Sequence, residues 1–250
     1  MSNFISDGLN LHFIDEGEGR PILLIHGFAS SIAQNWRSPG WIDALIKAGF
    51  RVIALDNRGH GASAKPHEEE AYEPDLMAND ALNLMDHLGI ARADFFGYSM
   101  GARISLRAAR LAPSRLNKLV LGGVGQNLVQ ETLALNVIPE AMLAKDPAGL
   151  TDPVAKAFRA FADANGNDRL ALAACSHATR VPVDIEAYRG VALPPILVVV
   201  GEKDELTGDH QILVRALAGA KDAVIPKRNH MTAVGDPLTR QVVLAFLLGA

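Results

Sequence analysis

The sequence predicts an α/β protein in which a mostly parallel central sheet is flanked by helices and carries a small helical insertion. Short apolar runs alternate with longer stretches of helical periodicity, as in sheets whose strands are joined through helices. Several runs are almost continuous in Ile, Leu and Val, which is typical of strands buried on both faces. One long stretch late in the chain has helical patterns and no convincing strand.

Seven apolar runs predict strands, and each is far too short to span a membrane. In chain order they are Leu11–Ile14, Ile22–Ile25, Val52–Leu55, Asp94–Phe96, Lys118–Leu121, Ile196–Val200 and Ala223–Ile225.

Three helices are indicated by spacing and end signals. Apolar residues recur at helical spacing in Asp75–Leu88, and Gly89 follows as a stop signal. A second helix, Ala102–Leu111, is closed by Pro113. The last helix follows Asp236, a residue type suited to the N-cap, and has proline in its first turn, where no N–H is needed.

The strandless stretch predicts a separate helical unit. It runs from about Gly125 to Leu193 and is broken by Pro139, Pro147, Pro153 and Gly166. We therefore expect a core formed by residues 1–124 and 191–250, and a helical cap formed by residues 125–190.

Composition and charge narrow the class of protein. The 250 residues are 49% hydrophobic and 21% charged, with a formal net charge of −4, which suits a compact globular chain. No Lys and Arg cluster is present to neutralise phosphates, so we expect no nucleic-acid partner. The first residues lack signal-peptide features, and Cys175 is the only cysteine, so no internal disulfide can form. We expect a cytoplasmic protein with no membrane partner.

The strongest chemical signal is the G-x-S-x-G pattern at Gly97–Gly101, with Ser99 at its centre. It follows a predicted strand and precedes a predicted helix, which is the context that a nucleophile elbow requires. Such a turn lifts the serine hydroxyl clear of the sheet, and the helix start places unpaired N–H groups beside it. The bare pattern also occurs by chance in glycine-rich turns, but its context favours a catalytic serine.

With these residues the sequence resembles the α/β-hydrolase fold superfamily, serine carboxylesterases in particular, over nearly the whole chain. Ile22–Phe28 looks like the strand and His-Gly turn that carries half of the oxyanion hole in that family. Val52–Ser63 is similar to the next strand and its D-x-R-G-H-G-x-S turn. Leu197–Asp204 resembles the strand and G-x-x-D turn that carries the acid of the triad.

The resemblance implies a catalytic triad of Ser99, Asp204 and His230, which follow one another in the chain order of this fold. A serine hydroxyl is a weak nucleophile and needs an adjacent base, the role implied for His230. Asp204 is implied to bond the other ring nitrogen and to fix the tautomer. The backbone N–H groups of Phe28 and Met100 are the candidates for the oxyanion hole.

Other residues compete for these roles. Among the eight histidines, His230 is preferred because it lies in a late loop before the last helix, where the family keeps its base. Asp209 is an alternative acid, although Asp204 fits the strand end better. Cys175 and His177 are two residues apart, so they do not share a helix face. No His-Glu-x-x-His or paired-cysteine spacing supports a metal site, and we expect no cofactor.

We expect a hydrolase acting on carboxylic esters of small to medium acyl chain, with a small-molecule ester as its partner. In this superfamily, serine at the elbow disfavours haloalkane dehalogenases and epoxide hydrolases, which use aspartate there, and dienelactone hydrolases, which use cysteine. C–C bond hydrolases and cofactor-free perhydrolases of the same fold remain alternatives, as does a binding protein without activity. The sequence leaves the natural substrate and the oligomeric state open.

Overall fold

A computed structural model describes residues 2–130, 136–179, 181–217 and 219–249 of the chain. In these residues eight strands form one sheet, in the order β1-β2-β4-β3-β5-β6-β7-β8. The strands are β1 (Ser2–Ser6), β2 (Leu9–Glu16), β3 (Arg20–Ile25), β4 (Phe50–Leu55), β5 (Ala93–Tyr98), β6 (Leu116–Gly122), β7 (Ile196–Gly201) and β8 (Lys221–Ile225). The pairs β1–β2 and β2–β4 are antiparallel and the others are parallel, which confirms the predicted fold class.

Strand β1 escapes prediction from the apolar pattern because Phe4 and Ile5 are its only strongly apolar residues, and Ile5 is exposed. It pairs with β2 through a tight turn at Asp7 and Gly8, which have φ angles of 48° and 75°. An Asp-Gly pair between two strands favours a two-residue hairpin. This pair is therefore the local signal from which β1 can be predicted.

Helices cover both faces of the sheet. In chain order they are α1 (Trp41–Lys47), α2 (Pro74–His87), α3 (Met100–Leu111), α4 (Gln126–Val129), α5 (Ile138–Leu143), α6 (Pro153–Ala164), α7 (Arg169–Thr179), α8 (His210–Ala216), α9 (His230–Ala233) and α10 (Pro237–Leu248). Shorter pieces are the π-helical turn Ala33–Arg37 and the 3₁₀ turns Glu69–Tyr72, Pro113–Arg115, Pro147–Gly149 and Ile185–Tyr188. Across the described ranges, no helix is long and apolar enough to cross a membrane.

The helix ends follow local capping chemistry. The side chain of Asp236 accepts a hydrogen bond of 2.7 Å from the N–H of Leu238, and Pro237 occupies the first turn of α10. The same helix ends at Gly249, whose φ of 84° suits a residue without a side chain. The three predicted helices are confirmed as α2, α3 and α10.

Two apolar layers hold the helices to the sheet. On one face α1 and α10 pack around Trp36 and Trp41, whose ring centroids lie 4.8 Å and 4.9 Å from that of Phe96. Both tryptophans are fully buried, and burying each side chain stabilises the fold by roughly 2–3 kcal/mol. The other face packs against α2, α3 and α8, and the same apolar cluster continues into the helices that lie between β6 and β7.

The connection from β6 to β7 contains α4 to α7 and has no strand among its described residues. Within it α5 packs against both α6 and α7. Arg159 on α6 ties these helices together, since it donates to the carbonyl oxygens of Ala141 and Ala144 at 2.9 Å and 2.7 Å. Residues 131–135 and 180 of the predicted cap lie outside the described residues, and the boundaries of the cap stay a prediction.

Candidate active site

Ser99 lies in the tight turn between β5 and α3, at the carboxyl edge of the sheet. Its φ of 53° places a residue with a side chain in the left-handed region, at a cost on the order of 1–3 kcal/mol. Backbone bonds hold this strained turn: the N–H of Ser99 donates to the oxygen of Gly122 at 2.7 Å, and the N–H of Ala102 donates to the oxygen of Ser99 at 3.0 Å. The serine thus stands where the strand ends and the helix begins.

The two glycines of the elbow are required by close backbone approach. A Cβ at Gly97 would clash with the carbonyl oxygen of Gly101 on the first turn of α3. A Cβ at Gly101 would clash with the carbonyl oxygen of Ile25 at the end of β3. The G-x-S-x-G spacing therefore lets α3 start directly against the sheet.

Three side chains from separate segments meet at this turn. His230 Nε2 lies 3.0 Å from Ser99 Oγ, and His230 Nδ1 lies 2.8 Å from Asp204 Oδ2. Asp204 and His230 are both buried. A carboxylate only accepts hydrogen bonds, so the Nδ1–H donates to Asp204 and Nε2 is left to accept from the Ser99 hydroxyl. The structure thus brings together the three residues that the sequence singles out.

Asp204 is oriented by the turn that follows β7. Its Oδ1 accepts hydrogen bonds from the N–H groups of Leu206 and Thr207, each at 3.2 Å. These bonds leave Oδ2 to face His230. The N–H of Lys203 also donates to the carbonyl oxygen of Arg228 at 2.8 Å, which fixes this turn against the loop that carries the histidine.

His230 is the first residue of α9, and hydrogen bonds hold the backbone on both sides of it. The side chains of Asn229 and Thr232 form a capping box at the helix start. The hydroxyl of Tyr98 donates to the carbonyl oxygen of His230 at 2.6 Å. Tyr98 is a positioning residue that the sequence pattern does not reveal, although a buried tyrosine needs a partner for its hydroxyl.

The competing candidates lie apart from this arrangement. Asp209 is the N-cap of α8, where its side chain accepts from the N–H of Gln211 at 2.9 Å. Cys175 is buried on α7, with its sulfur 3.6 Å from that of Met100. Neither residue joins the hydrogen-bond chain from Ser99 to Asp204.

The His-Gly turn after β3 lies beside Ser99. A Cβ at Gly27 would be 3.4 Å from the Cβ of Ser99, and the N–H of Gly27 donates to Asn35 Oδ1 at 3.1 Å. The N–H of Met100 is the first of α3 and has no acceptor within the helix. Phe28 and Met100, the residues implied for the oxyanion hole, both line the cavity that contains Ser99.

A model of the alpha/beta hydrolase fold family matches residues 20–178, which are more than half of the chain. The chain belongs to the alpha/beta hydrolase fold family. The matched region includes the elbow serine, whereas Asp204 and His230 lie beyond it.

Similar proteins of this family carry different names. The chain is 37% identical over 112 residues to bifunctional epoxide hydrolase 2 of Sus scrofa, covering 45% of this chain and 20% of that protein. It is 33% identical over 246 residues to the dihydrolipoyllysine-residue acetyltransferase component of the acetoin cleaving system of Pseudomonas putida, covering 92% and 64%. The crystal structure of a hydrolase from Pseudomonas aeruginosa PA01 aligns with a TM-score of 0.82 and 27% identity, covering 100% and 98%. The chain spans less than two thirds of either curated relative.

Two cavities of this alpha/beta hydrolase meet at Ser99. The first, here the Arg103 cavity, holds about 650 Å³ of empty space, partly open to solvent. Its lining residues are Phe28, Ser99, Met100, Arg103, Val124, Asn127, Asn136, Phe158, Thr179, Leu206 and His230. The second, here the Asn35 cavity, holds about 580 Å³ and is lined by Gly27, Phe28, Ser30, Gln34, Asn35, Tyr98, Ser99, Phe158, Phe161, His230, Met231 and Val234.

Two buried histidines, with ring centroids 5.3 Å apart, support the His-Gly turn. The Nδ1–H of His26 donates to the oxygen of Gly27 at 2.8 Å, and its Nε2 accepts from the N–H of Asn57 at 3.1 Å. The Nδ1–H of His60 donates to the oxygen of Arg58 at 2.9 Å, and its Nε2 has no partner among the described residues. Burial lowers the pKa of both rings, that of His60 to about 3.

Acid is expected to destabilise the folded protein through these two histidines. In the folded chain both rings stay neutral, whereas an unfolded histidine takes up a proton as the pH falls below about 6.5. The unfolded state then binds more protons, so the free energy of unfolding falls by about 1 kcal/mol per pH unit for each histidine. For His60 this loss continues to the folded-state pKa of about 3. Asp94 has the opposite effect, because burial raises its pKa to about 6 in the folded chain. Between about pH 6 and 4 the folded state therefore binds the extra proton, and the free energy of unfolding rises as the pH falls.

Urea unfolding between about pH 7 and 5 measures this effect. The His60→Asn variant removes one of the two buried rings, so its free energy of unfolding should fall less steeply with acid than that of the unaltered protein. Equal slopes for the two proteins would show that His60 does not carry the acid sensitivity.

Proposed function

We propose that this alpha/beta hydrolase is a serine hydrolase that cleaves carboxylic esters of small to medium acyl chain through an acyl-enzyme intermediate. The observation that carries the proposal is the unbroken hydrogen-bond chain from Ser99 Oγ through His230 to Asp204, with distances of 3.0 Å and 2.8 Å. This geometry supplies what a serine hydroxyl needs to act as a nucleophile at neutral pH.

In the acylation step, Ser99 Oγ attacks the ester carbonyl carbon while its proton passes to His230 Nε2. The carbonyl oxygen becomes an oxyanion, which the N–H groups of Phe28 and Met100 stabilise. Asp204 stabilises the imidazolium that forms, because its Oδ2 accepts the bond from Nδ1–H. The intermediate collapses, the C–O bond to the alcohol breaks, and His230 returns the proton to the departing alkoxide.

Deacylation repeats these steps with water as the nucleophile. His230 takes a proton from the water as it attacks the acyl carbon, and then gives that proton to Ser99 Oγ as the acid leaves. One ester and one water thus give one acid and one alcohol. Nucleophile, base and oxyanion donors all come from the chain, so no step calls for a metal or cofactor.

The identity of the elbow residue favours ester cleavage over epoxide opening, despite the similarity to an epoxide hydrolase. The resemblance described above assigns aspartate to the elbow of epoxide hydrolases, and this chain has serine there. A serine with a histidine base is suited to acyl transfer. The names of the two curated relatives describe different reactions, so they do not decide the bond.

The lining of the site supports small or medium acyl groups. The acyl and alcohol parts of an ester can occupy the two cavities that meet at Ser99. Apolar side chains line the space next to the nucleophile, among them Phe28, Leu206 and Phe158. Polar side chains, among them Arg103, Asn127 and Thr179, interrupt the apolar lining of the first cavity, which suits short chains better than long lipid tails.

A substrate panel tests the proposed function. Purified protein is expected to hydrolyse nitrophenyl acetate and butanoate with higher kcat/KM than nitrophenyl palmitate, because polar side chains interrupt the apolar lining that a long chain would need. The same preparation is tested on an aromatic epoxide and on a dienone substrate of C–C hydrolases, with heat-denatured protein as the background control. Turnover of the epoxide or the dienone with no ester hydrolysis would contradict the proposal.

A further inference from the structure

Arg103 stands one helical turn beyond the nucleophile and lines the same cavity. Its backbone N–H donates to the carbonyl oxygen of Ser99 at 3.3 Å. Residues four positions apart share a helix face, with a rise of about 6 Å along the axis. A substrate that reaches Ser99 through the Arg103 cavity therefore also lies near a guanidinium group.

This guanidinium lacks a counter-ion in the part of the chain that the structure describes. It donates to two backbone carbonyl oxygens, those of Asn127 and of Val181, the latter at 3.3 Å. The next arginine on the same helix, Arg107, pairs instead with the carboxylate of Asp75. Burial lowers the pKa of Arg103 to about 10.

Two of the five N–H donors of Arg103 are accounted for by those carbonyl oxygens. A second donor, Asn127, lines the cavity beside it. Asn127 Oδ1 accepts from the N–H of Gly125 at 3.0 Å, so the amide nitrogen is the end left to donate. The half-buried cation and the buried amide together offer a donor-rich corner with no acid to receive its hydrogen bonds among the described residues.

We propose that the Arg103 cavity binds a carboxylate group of the substrate, which Arg103 and Asn127 hold through charge-assisted hydrogen bonds. The inference rests on the proposed function and deepens it: the preferred substrates are esters that carry a free carboxylate a few bonds from the reacting carbonyl. A planar guanidinium, with donors beyond the two that bond those carbonyl oxygens, is well suited to a carboxylate. Arg103 is then a specificity-determining residue of the ester hydrolase.

Two matched pairs of esters test the inference and show on which side the carboxylate lies. Nitrophenyl hydrogen glutarate is compared with nitrophenyl pentanoate, and 4-acetoxybutanoate with butyl acetate. In at least one pair the charged ester is expected to have the higher kcat/KM. The Arg103→Met variant is expected to lower the charged-to-neutral ratio of that pair by about 10- to 100-fold, the usual effect of losing hydrogen bonds to a charged group.

Two further variants separate the effect of the positive charge at Arg103 from a general effect of replacing an arginine on α3. Arg103→Lys keeps the positive charge and should retain part of the preference. Arg107→Met removes the neighbouring cation, which lies outside the Arg103 cavity, and should leave the ratio unchanged. The inference is overturned by charged and neutral esters that react equally in both pairs, or by a ratio that Arg103→Met does not alter.

Binding of free glutarate tests the carboxylate site separately from the proposed ester hydrolysis. Calorimetric titration with glutarate needs no turnover, so it reports on the cavity even if no ester is hydrolysed. Glutarate that binds the unaltered protein and not Arg103→Met supports the carboxylate site. Absence of turnover on every ester contradicts the proposed function, whereas absence of glutarate binding and of any charged-ester preference contradicts the carboxylate site alone.

Discussion

Replacement of Ser99 with alanine is expected to lower kcat for nitrophenyl butanoate by at least about 10⁴-fold, because the three members of such a triad act as a unit. The fold should survive the change. Alanine keeps the Cβ that serine places in the left-handed region, and the backbone bonds to Gly122 and Ala102 do not involve the hydroxyl. Initial rates and urea unfolding of the same preparations measure the two effects separately.

Ser105 provides the matched control for this variant. It lies on the same helix, its hydroxyl donates to the oxygen of Gly101 at 2.7 Å, and it lines neither cavity. Ser105→Ala should therefore retain ester turnover within a few-fold of the unaltered protein. A Ser99→Ala protein that keeps most of its ester turnover would rule out Ser99 as the nucleophile.

The second large effect concerns the acid. Asp204→Asn is expected to lower kcat by roughly 10⁴-fold, as the same change does in a serine protease. The N–H groups of Leu206 and Thr207 require an acceptor at Oδ1, so the amide oxygen of asparagine takes that place. The amide nitrogen then faces His230 Nδ1 and donates to it, which puts the ring proton on Nε2. In that tautomer His230 cannot accept the proton of Ser99.

Asp209→Asn is the control that separates the two candidate acids. Asp209 caps α8 and is not bonded to His230, so its replacement should change kcat only slightly. Both variants are measured on one ester at one pH. An inactive Asp209→Asn protein beside an active Asp204→Asn protein would show that Asp209, and not Asp204, is the acid of the triad.

Much of the fold can be predicted because the deciding signals are local. Strand β7 is buried along its whole length, and its sequence is a continuous apolar run from Ile196 to Val200. The elbow can also be recognised locally, since Gly97 and Gly101 are fixed by clashes within a few residues of Ser99 and against the neighbouring strand β3. Strand β1 lacks an apolar run, and only the Asp-Gly turn marks it.

The remaining parts of the site depend on contacts between distant segments. His230 is 131 residues from Ser99 and 26 from Asp204, so no local spacing links the three, and the resemblance to a family supplied their order. The bond from Tyr98 to the backbone of His230 likewise joins segments far apart in the chain. Arg103 has no carboxylate partner among the described residues. The sequence does not predict this, because it depends on how α3 packs beside Asn127.

Covalent labelling tests most directly whether Ser99 is the nucleophile of an acyl-enzyme mechanism. The protein is incubated with a fluorophosphonate, which reacts with a serine activated by a histidine base, and its peptides are mapped by mass spectrometry. We expect a single adduct on Ser99, with ester turnover lost in proportion to labelling and with no adduct in Ser99→Ala. An adduct on another residue, or full ester turnover by protein labelled at Ser99, would contradict the mechanism.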